Sequence, residues 1–378
     1  MNIIFLLRSV SSRSGVDIVT KILANEFVDF GYNVNLCCLY FSDNQVNSKV
    51  KNFSIFGDWQ KIDTLQNINI LKDAIRNENI NIIINQECQN IPWANLAKKA
   101  SENSNAKIIS CLHFPILMSM DYLGKRAKYF PAFLVNSFKK YRDLKNFNYA
   151  CDNSDYVVLL SEKYLEHCKE LQPEKNLNKL RVIANPLNLK FKEINFGQKQ
   201  KTILFVGRIS EYQKKLSFII EAWKIILSTK KYNDWNLKIV GEGEDLADMK
   251  ENAPEKIYFE GKQYSEPYFE SASIFFMTSA FEGFPMTLVE SLQRACVPIV
   301  MDSFLSLSDI IKNGENGIIS PKNDIEAFAK NAMHLMDDEQ MRRNIGENGV
   351  KSVEKFSVNN IIKQWEILFE SLEKHSKR

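Results

Sequence analysis

Several common functional signatures are missing from this sequence, and each absence narrows what the chain can do. No stretch of about 18 uninterrupted apolar residues occurs, so nothing in it reads as a membrane-spanning helix. The seven cysteines (37, 38, 88, 111, 151, 168 and 296) are odd in number and never spaced Cys-x-x-Cys. That pattern gives no zinc knuckle, thioredoxin-type motif or disulfide framework. Most sit in apolar surroundings, such as Cys37-Cys38, where a small core hydrophobe is expected, and they fit a reducing cytoplasm. A formal charge of +3 is too small to imply nucleic-acid binding. No Asp-x-Asp is present to hold a metal on a diphosphate, and no short internal repeat or low-complexity tract is found. The opening MNIIFLLRSVSS has a short apolar run broken by Arg8, with no charged residue before it. It reads as a first strand rather than a secretory leader.

What is present is an ordinary globular mixture, 45% hydrophobic and 25% charged over 378 residues. At roughly 150 residues per domain this predicts two or three domains. The charge is uneven. Residues 1–190 carry 24 Lys and Arg against 18 Asp and Glu, whereas 191–378 carry 25 against 28. The first half therefore suits an anionic surface or acceptor. Short β-branched runs alternate with amphipathic stretches. NIIFLL (2–7), a helical pattern over 16–30 and YNVNLCCLY (32–40) form a βαβ unit. Further strands are predicted at 80–85, 107–113, 156–161 and 180–185, with a helix over 93–103. After the polar stretch 188–201 the pattern restarts with TILFVG (202–207) and a helix over 216–228. Strands at 237–241, 257–261, 273–279 and 297–302 follow. Two successive runs of this kind predict two doubly wound α/β domains. The expected division is 1–192 and 193–356, with a last amphipathic helix within 357–378 able to pack back on the N-terminal domain.

The most informative segment is SAFEGFPMTLVESL (279–292), which follows a buried strand and opens a helix near Pro285. The amides of Met286, Thr287 and Leu288 are expected to point out of that helix N-terminus, where an anion is favoured. Gly283 lets backbone approach a ligand closely. Glu282 and Glu290 flank this point, and a carboxylate accepts two hydrogen bonds from vicinal hydroxyls. The arrangement suits a phosphate between two polyol rings, as in a nucleoside-diphosphate sugar. A second element is Gly207-Arg208 at the end of a strand, followed by Lys214 and Lys215 before a helix. An arginine and a lysine converging there would neutralise a leaving diphosphate. VGEGED (240–245) contains Gly-x-Gly without the third glycine of a dinucleotide fingerprint, so it reads as a strand-to-helix turn. That missing fingerprint disfavours a dehydrogenase.

Gly207-Arg208-Ile209 with Lys214, then Glu282-Gly283-Phe284-Pro285 through Glu290, resembles the retaining glycosyltransferases of family 4. Gly15, Asn185-Pro186, VGEGED and NGENGIIS (313–320) add to the resemblance. It implies the GT-B architecture: two Rossmann-like doubly wound parallel-sheet domains with the active site in an interdomain cleft. It also implies roles. Arg208 and Lys214 hold the donor diphosphate, aided by Gly207 and the amides after Phe284. Glu282 contacts hydroxyls of the transferred sugar and Glu290 the ribose. Gly15 lies against the phosphates, although Arg13-Ser14-Gly15 replaces the family's usual glycine pair. His113, at the end of a strand, lies near the transferred sugar. The implied front-side route has a diphosphate oxygen help deprotonate the acceptor hydroxyl, with no metal and no other cofactor.

The resemblance thus predicts transfer from a nucleotide sugar, with UDP preferred, to a glycan or lipid-linked acceptor with retention. The alternatives are a nucleotide-sugar epimerase of the same fold and a non-catalytic sugar-nucleotide-binding subunit. The Asn-, Lys- and Ile-rich composition suggests an AT-rich bacterial source, where enzymes of the family it resembles commonly build capsule, lipopolysaccharide or exopolysaccharide. The stretch 121–147 interleaves seven Lys and Arg with aromatics against only Asp121 and Asp143. It suits either a solvated helix face or peripheral contact with the anionic inner face of the plasma membrane.

Overall fold

In the computed structural model of the chain, residues 1–11, 14–41, 46–117, 132–172, 177–187 and 190–376 are described. The chain divides into two units, Met1–Asn188 with Phe356–Arg378, and Leu189–Lys355. The first contains β1 (Asn2–Val10), α1 (Gly15–Asp29), β2 (Asn33–Phe41), β3 (Lys51–Ser54), α2 (Leu65–Asn77) and β4 (Ile82–Asn85). It continues through α3 (Ile91–Ser101), β5 (Lys107–Leu112), α4 (Ala132–Asp152), β6 (Tyr156–Leu159), α5 (Glu162–Leu171) and β7 (Leu180–Val182). Its strands form one parallel sheet in the order β3-β2-β1-β4-β5-β6-β7. Both faces of β1 are covered. Ile4 and Leu6 pack with Ile83, Trp93 and Leu96 on one side, while Phe5 stacks on Phe27 of α1 on the other. A parallel strand buried on both faces needs a continuous apolar run, which is why NIIFLL shows no alternation.

The second unit starts with β8 (Gln200–Val206), α6 (Glu211–Lys214), α7 (Leu216–Ser228), β9 (Asn236–Val240), α8 (Leu246–Glu251) and β10 (Ile257–Gly261). Then come α9 (Glu266–Ser271), β11 (Ala272–Met277), α10 (Met286–Gln293), β12 (Val297–Met301), α11 (Leu307–Ile310), β13 (Ile318–Ser320), α12 (Ile325–Asp337) and α13 (Glu339–Ser352). Its strands are also all parallel, in the order β10-β9-β8-β11-β12-β13. Phe205, Trp223, Phe276 and Phe328 belong to its main core. The strand order reverses between β1 and β4 in one sheet and between β8 and β11 in the other. In such sheets ligands bind outside the carboxyl ends of the strands at that reversal.

The division falls at 188/189, four residues before the boundary expected from sequence. The reason is local. Arg294 donates to the Lys190 carbonyl at 2.6 Å and Lys192 pairs with Glu266 at 2.7 Å, so 190–192 are fastened to the second unit. The last helix, α14 (Val358–Ser376), belongs to the first unit. Its Trp365 and Phe369 meet the ring of Phe27 edge-on, with centroids at 6.1 and 5.5 Å. All seven cysteines are free and buried. Among the described residues no helix is long and apolar enough to cross a membrane.

Candidate active site

At the strand reversal of the second unit, β8 runs into Gly207-Arg208 and β11 into the loop that leads to α10. The Gly207 loop is zipped to the turn after β9. Gly207 N–H donates to the Val240 carbonyl at 3.0 Å, and Ile209 N–H to the Glu242 carbonyl at 2.9 Å. A Cβ on Gly241 would stand 1.9 Å from Gly207 O, and one on Gly243 2.0 Å from Ile209 O. The two glycines of VGEGED are therefore there to let one backbone lie against another, under the loop that carries Arg208. Arg208 itself is exposed. Its charge is felt by Glu244, whose carboxyl is held below the usual range by its own amide, then by the Ser210 hydroxyl and Arg208.

Lys214 ends the single turn α6. Asp245 accepts the Glu211 N–H at 2.7 Å, and the Glu211 carboxylate accepts the Ser217 N–H at 2.9 Å, closing that turn from both sides. Lys215 follows with φ +49°, a left-handed residue that redirects the chain into α7. The Thr278 hydroxyl donates to the Lys214 carbonyl at 2.8 Å, and Ala280 N–H to the Gln213 carbonyl at 2.7 Å. These bonds tie the lysine turn to the loop after β11. In consequence Lys214 Nζ lies 2.5 Å from Glu282 Oε1, with the two side chains 13% and 9% exposed. Of the two neighbouring lysines, it is Lys214 that meets Glu282. A pair this sheltered is held together strongly once formed, because removing either member leaves a poorly solvated charge.

The Glu282 loop is held from its other side by Ser306, whose hydroxyl donates to the Gly283 carbonyl at 2.6 Å, and by Ser303, which donates to the Ser279 carbonyl. Gly283, Phe284 and Pro285 are buried. Pro285 is the N-cap of α10, with φ −76° and ψ 94°, so the helix begins at Met286. The Leu288 N–H is used inside this first turn, donating to the Pro285 carbonyl at 3.1 Å. This corrects the expectation of three free amides: the open end of α10 offers Met286 and Thr287, both half-buried. Glu290 lies one turn further along α10 and is buried.

The two remaining sequence-predicted residues belong to the first unit. Gly15 opens α1 behind the N-cap Ser14, and is exposed, with empty space where a Cβ would stand. Arg13 lies outside the described residues. His113 follows β5, and its Nε2 lies 2.7 Å from Gln86 Oε1. With that amide oxygen as acceptor, the proton sits on Nε2. Burial lowers its pKa to about 4, so the ring is neutral at pH 7. The unfolded chain takes up that proton near pH 6.5, so the folded state loses stability as pH falls from about 6.5 toward 4. His113→Gln should flatten this part of the stability profile; urea midpoints compared at pH 7 and pH 5 would measure it.

Sequence spacing missed several participants. Gln86, Asp245, Thr278 and Ser306 act on backbone or side chains far away in the chain, and no local pattern announces them. Glu87, after β4, was also missed. Burial raises its carboxyl pKa, opposed by the neighbouring Arg8 charge. Among the gathered residues, Glu282 and Lys214 are in contact, and the Arg208 loop and the start of α10 occupy the ends of adjacent strands.

Two Rossmann-like parallel sheets, with cations and carboxylates at the strand ends of the second, fit the GT-B fold, and the family comparisons give the class as glycosyltransferase. A family model described as glycosyl transferases group 1 matches residues 188–352, and one described as Glycosyltransferase Family 4 matches 13–191. Together they span both units, and the chain belongs to the family-4-like GT-B glycosyltransferases. An uncharacterized glycosyltransferase of Haemophilus influenzae is 25% identical over 96% of this chain and 98% of its own length. The amylovoran biosynthesis glycosyltransferase AmsD of Erwinia amylovora is 29% identical over 59% of this chain and 64% of its own. Among solved structures, Anabaena HepE in complex with UDP-glucose superposes with a TM-score of 0.73. It is 14% identical, over 98% of this chain and 100% of that one.

Proposed function

We propose that this chain transfers a sugar from a UDP-sugar to a saccharide or lipid-linked saccharide acceptor, with retention of anomeric configuration, in bacterial surface polysaccharide synthesis. The observation that carries the reading is the sheltered Lys214–Glu282 pair, on loops bonded together at the ends of β8 and β11. Arg208 and Lys214 take the charge of the departing diphosphate, with Gly207 beneath and the Met286 and Thr287 amides alongside. No divalent cation is called on. Glu282 accepts from hydroxyls of the transferred sugar and Glu290 from the ribose. In the first unit, Gly15 keeps the phosphate-contact role that the resemblance gives it, and neutral His113, whose Nε2 proton is engaged by Gln86, would accept from a sugar or acceptor hydroxyl at Nδ1. A diphosphate oxygen then receives the acceptor's proton as the new glycosidic bond forms. The AmsD relative supports the polysaccharide role, and the UDP-glucose bound by HepE supports the donor class.

The reading places the enzyme in the cytoplasm, against the inner membrane face. Supporting this, Phe138 and Tyr141 of α4 are 74% and 68% exposed, three positions apart on one helix, beside exposed Lys140, Arg142 and Lys145. The rest of the basic stretch, 121–131, lies outside the described residues. Each such cation contributes about 1 kcal/mol at an anionic bilayer.

A thermal-unfolding screen across nucleoside diphosphates and their sugars tests the donor assignment. A nucleotide present at about 100 times its dissociation constant should stabilise the chain by about 2.7 kcal/mol. The largest upward shift is expected with UDP compounds. Flat melting curves across the whole set would refute the reading.

A further inference from the structure

We infer that Glu282 makes the site discriminate a sugar-bearing donor from the bare nucleoside diphosphate, by competing with the diphosphate for Lys214. The inference rests on the donor site proposed above and concerns how that site releases product. The pair is preformed, with Nζ and Oε1 at 2.5 Å and both side chains largely shielded from water. The backbone of Lys214 is held by the Thr278 hydroxyl, and its stem lies alongside Gly207, where a Cβ would make ordinary contact with Lys214 Cε at 3.5 Å. The loop carrying Glu282 is likewise held, through the bond from Ser306 to the Gly283 carbonyl.

A diphosphate that comes to Lys214 must therefore share the ammonium with a carboxylate already in place. Two anions crowded on one cation repel each other, and the repulsion is large where water is excluded. A donor that still carries its sugar relieves this, because sugar hydroxyls can donate to Glu282 and replace what it gives up. The bare nucleoside diphosphate brings no such donors. After transfer, Glu282 turns back to Lys214 and weakens the hold on the product. One carboxylate thus favours donor binding and opposes product retention.

The test is calorimetric titration with UDP and with UDP-glucose as probes, on wild-type protein and Glu282→Gln. Glu282→Gln should bind UDP about tenfold tighter, since its sheltered ammonium then has only the phosphate as counter-charge. Its affinity for UDP-glucose should not improve, so the preference for donor over product shrinks. In a Lys214→Gln background the same change should leave UDP affinity unaltered, which a purely structural role for Glu282 would not produce. If Glu282→Gln does not fold, Glu282→Asp, whose carboxylate is withdrawn from Lys214 by one methylene, should tighten UDP binding in the same direction but by less. UDP bound no tighter by the folded variant than by wild type overturns the inference while leaving the donor site intact. Wild-type protein that binds neither probe instead sinks the donor assignment itself.

Discussion

Arg208→Ala should lower turnover about a hundredfold or more, while the unfolding midpoint stays near that of wild type. Removing one charged donor to a developing oxyanion typically costs about 2.7–4 kcal/mol of transition-state stabilisation. The side chain is exposed at the end of β8, so its loss opens no cavity. Its loop is held by backbone bonds to Val240 and Glu242 that the substitution leaves in place. Steady-state rates with a saturating UDP-sugar, read beside a melting curve, separate the two effects. Arg208→Lys should recover only part of the rate, because an ammonium keeps the charge but not the planar fork that grips two phosphate oxygens. Wild-type turnover from a folded Arg208→Ala protein would remove Arg208 from the donor site.

Arg294→Ala should instead act on stability, costing about 3 kcal/mol, the lower end of what breaking a buried ion pair costs. Arg294 caps the carboxyl end of α10 and is 1% exposed. Its Nη2 donates to Glu266 Oε1 at 2.7 Å and to the Lys190 carbonyl at 2.6 Å. Glu266 also accepts from Lys192 and Tyr264, and together with Arg294 these hold its carboxyl near a pKa of about 2. Those two partners survive the substitution, which keeps the loss at the low end. Half-buried Lys199 packs under the same corner, donating to the carbonyls of Phe269, Ala272 and Arg294 at 2.8, 2.9 and 2.6 Å. A urea titration of the variant measures the loss; a midpoint within error of wild type would show the network contributes nothing.

Much of the fold could be read from sequence because parallel strands buried on both faces must be apolar throughout. NIIFLL, IIIN and SIFFM announce themselves in this way. The edge strand β3, Lys-Asn-Phe-Ser, does not. It pairs on one side only and is largely exposed, so no apolar run marks it. The single turn α6 is too short for any periodicity. Within the site, residue types and motif order pointed to the ends of β8 and β11. The contact between Lys214 and Glu282 spans 68 positions and depends on hydroxyls and a left-handed lysine that spacing cannot reveal. The glycines of VGEGED were visible, but their purpose was not. The carbonyls of Gly207 and Ile209 in the loop after β8, less than 2.1 Å from where their Cβ atoms would stand, explain them.

The placement of α14 has a consequence for biosynthesis. Phe27 and Tyr32 leave the ribosome well before the aromatic rings that cover them, and Tyr32 meets Glu366 across 334 positions. The first unit is thus completed only after the whole of the second has been made and has had time to fold around its own sheet. Nascent chains stalled before Val358 would carry a bare aromatic patch, so the interval before α14 emerges is one in which this polypeptide needs a chaperone.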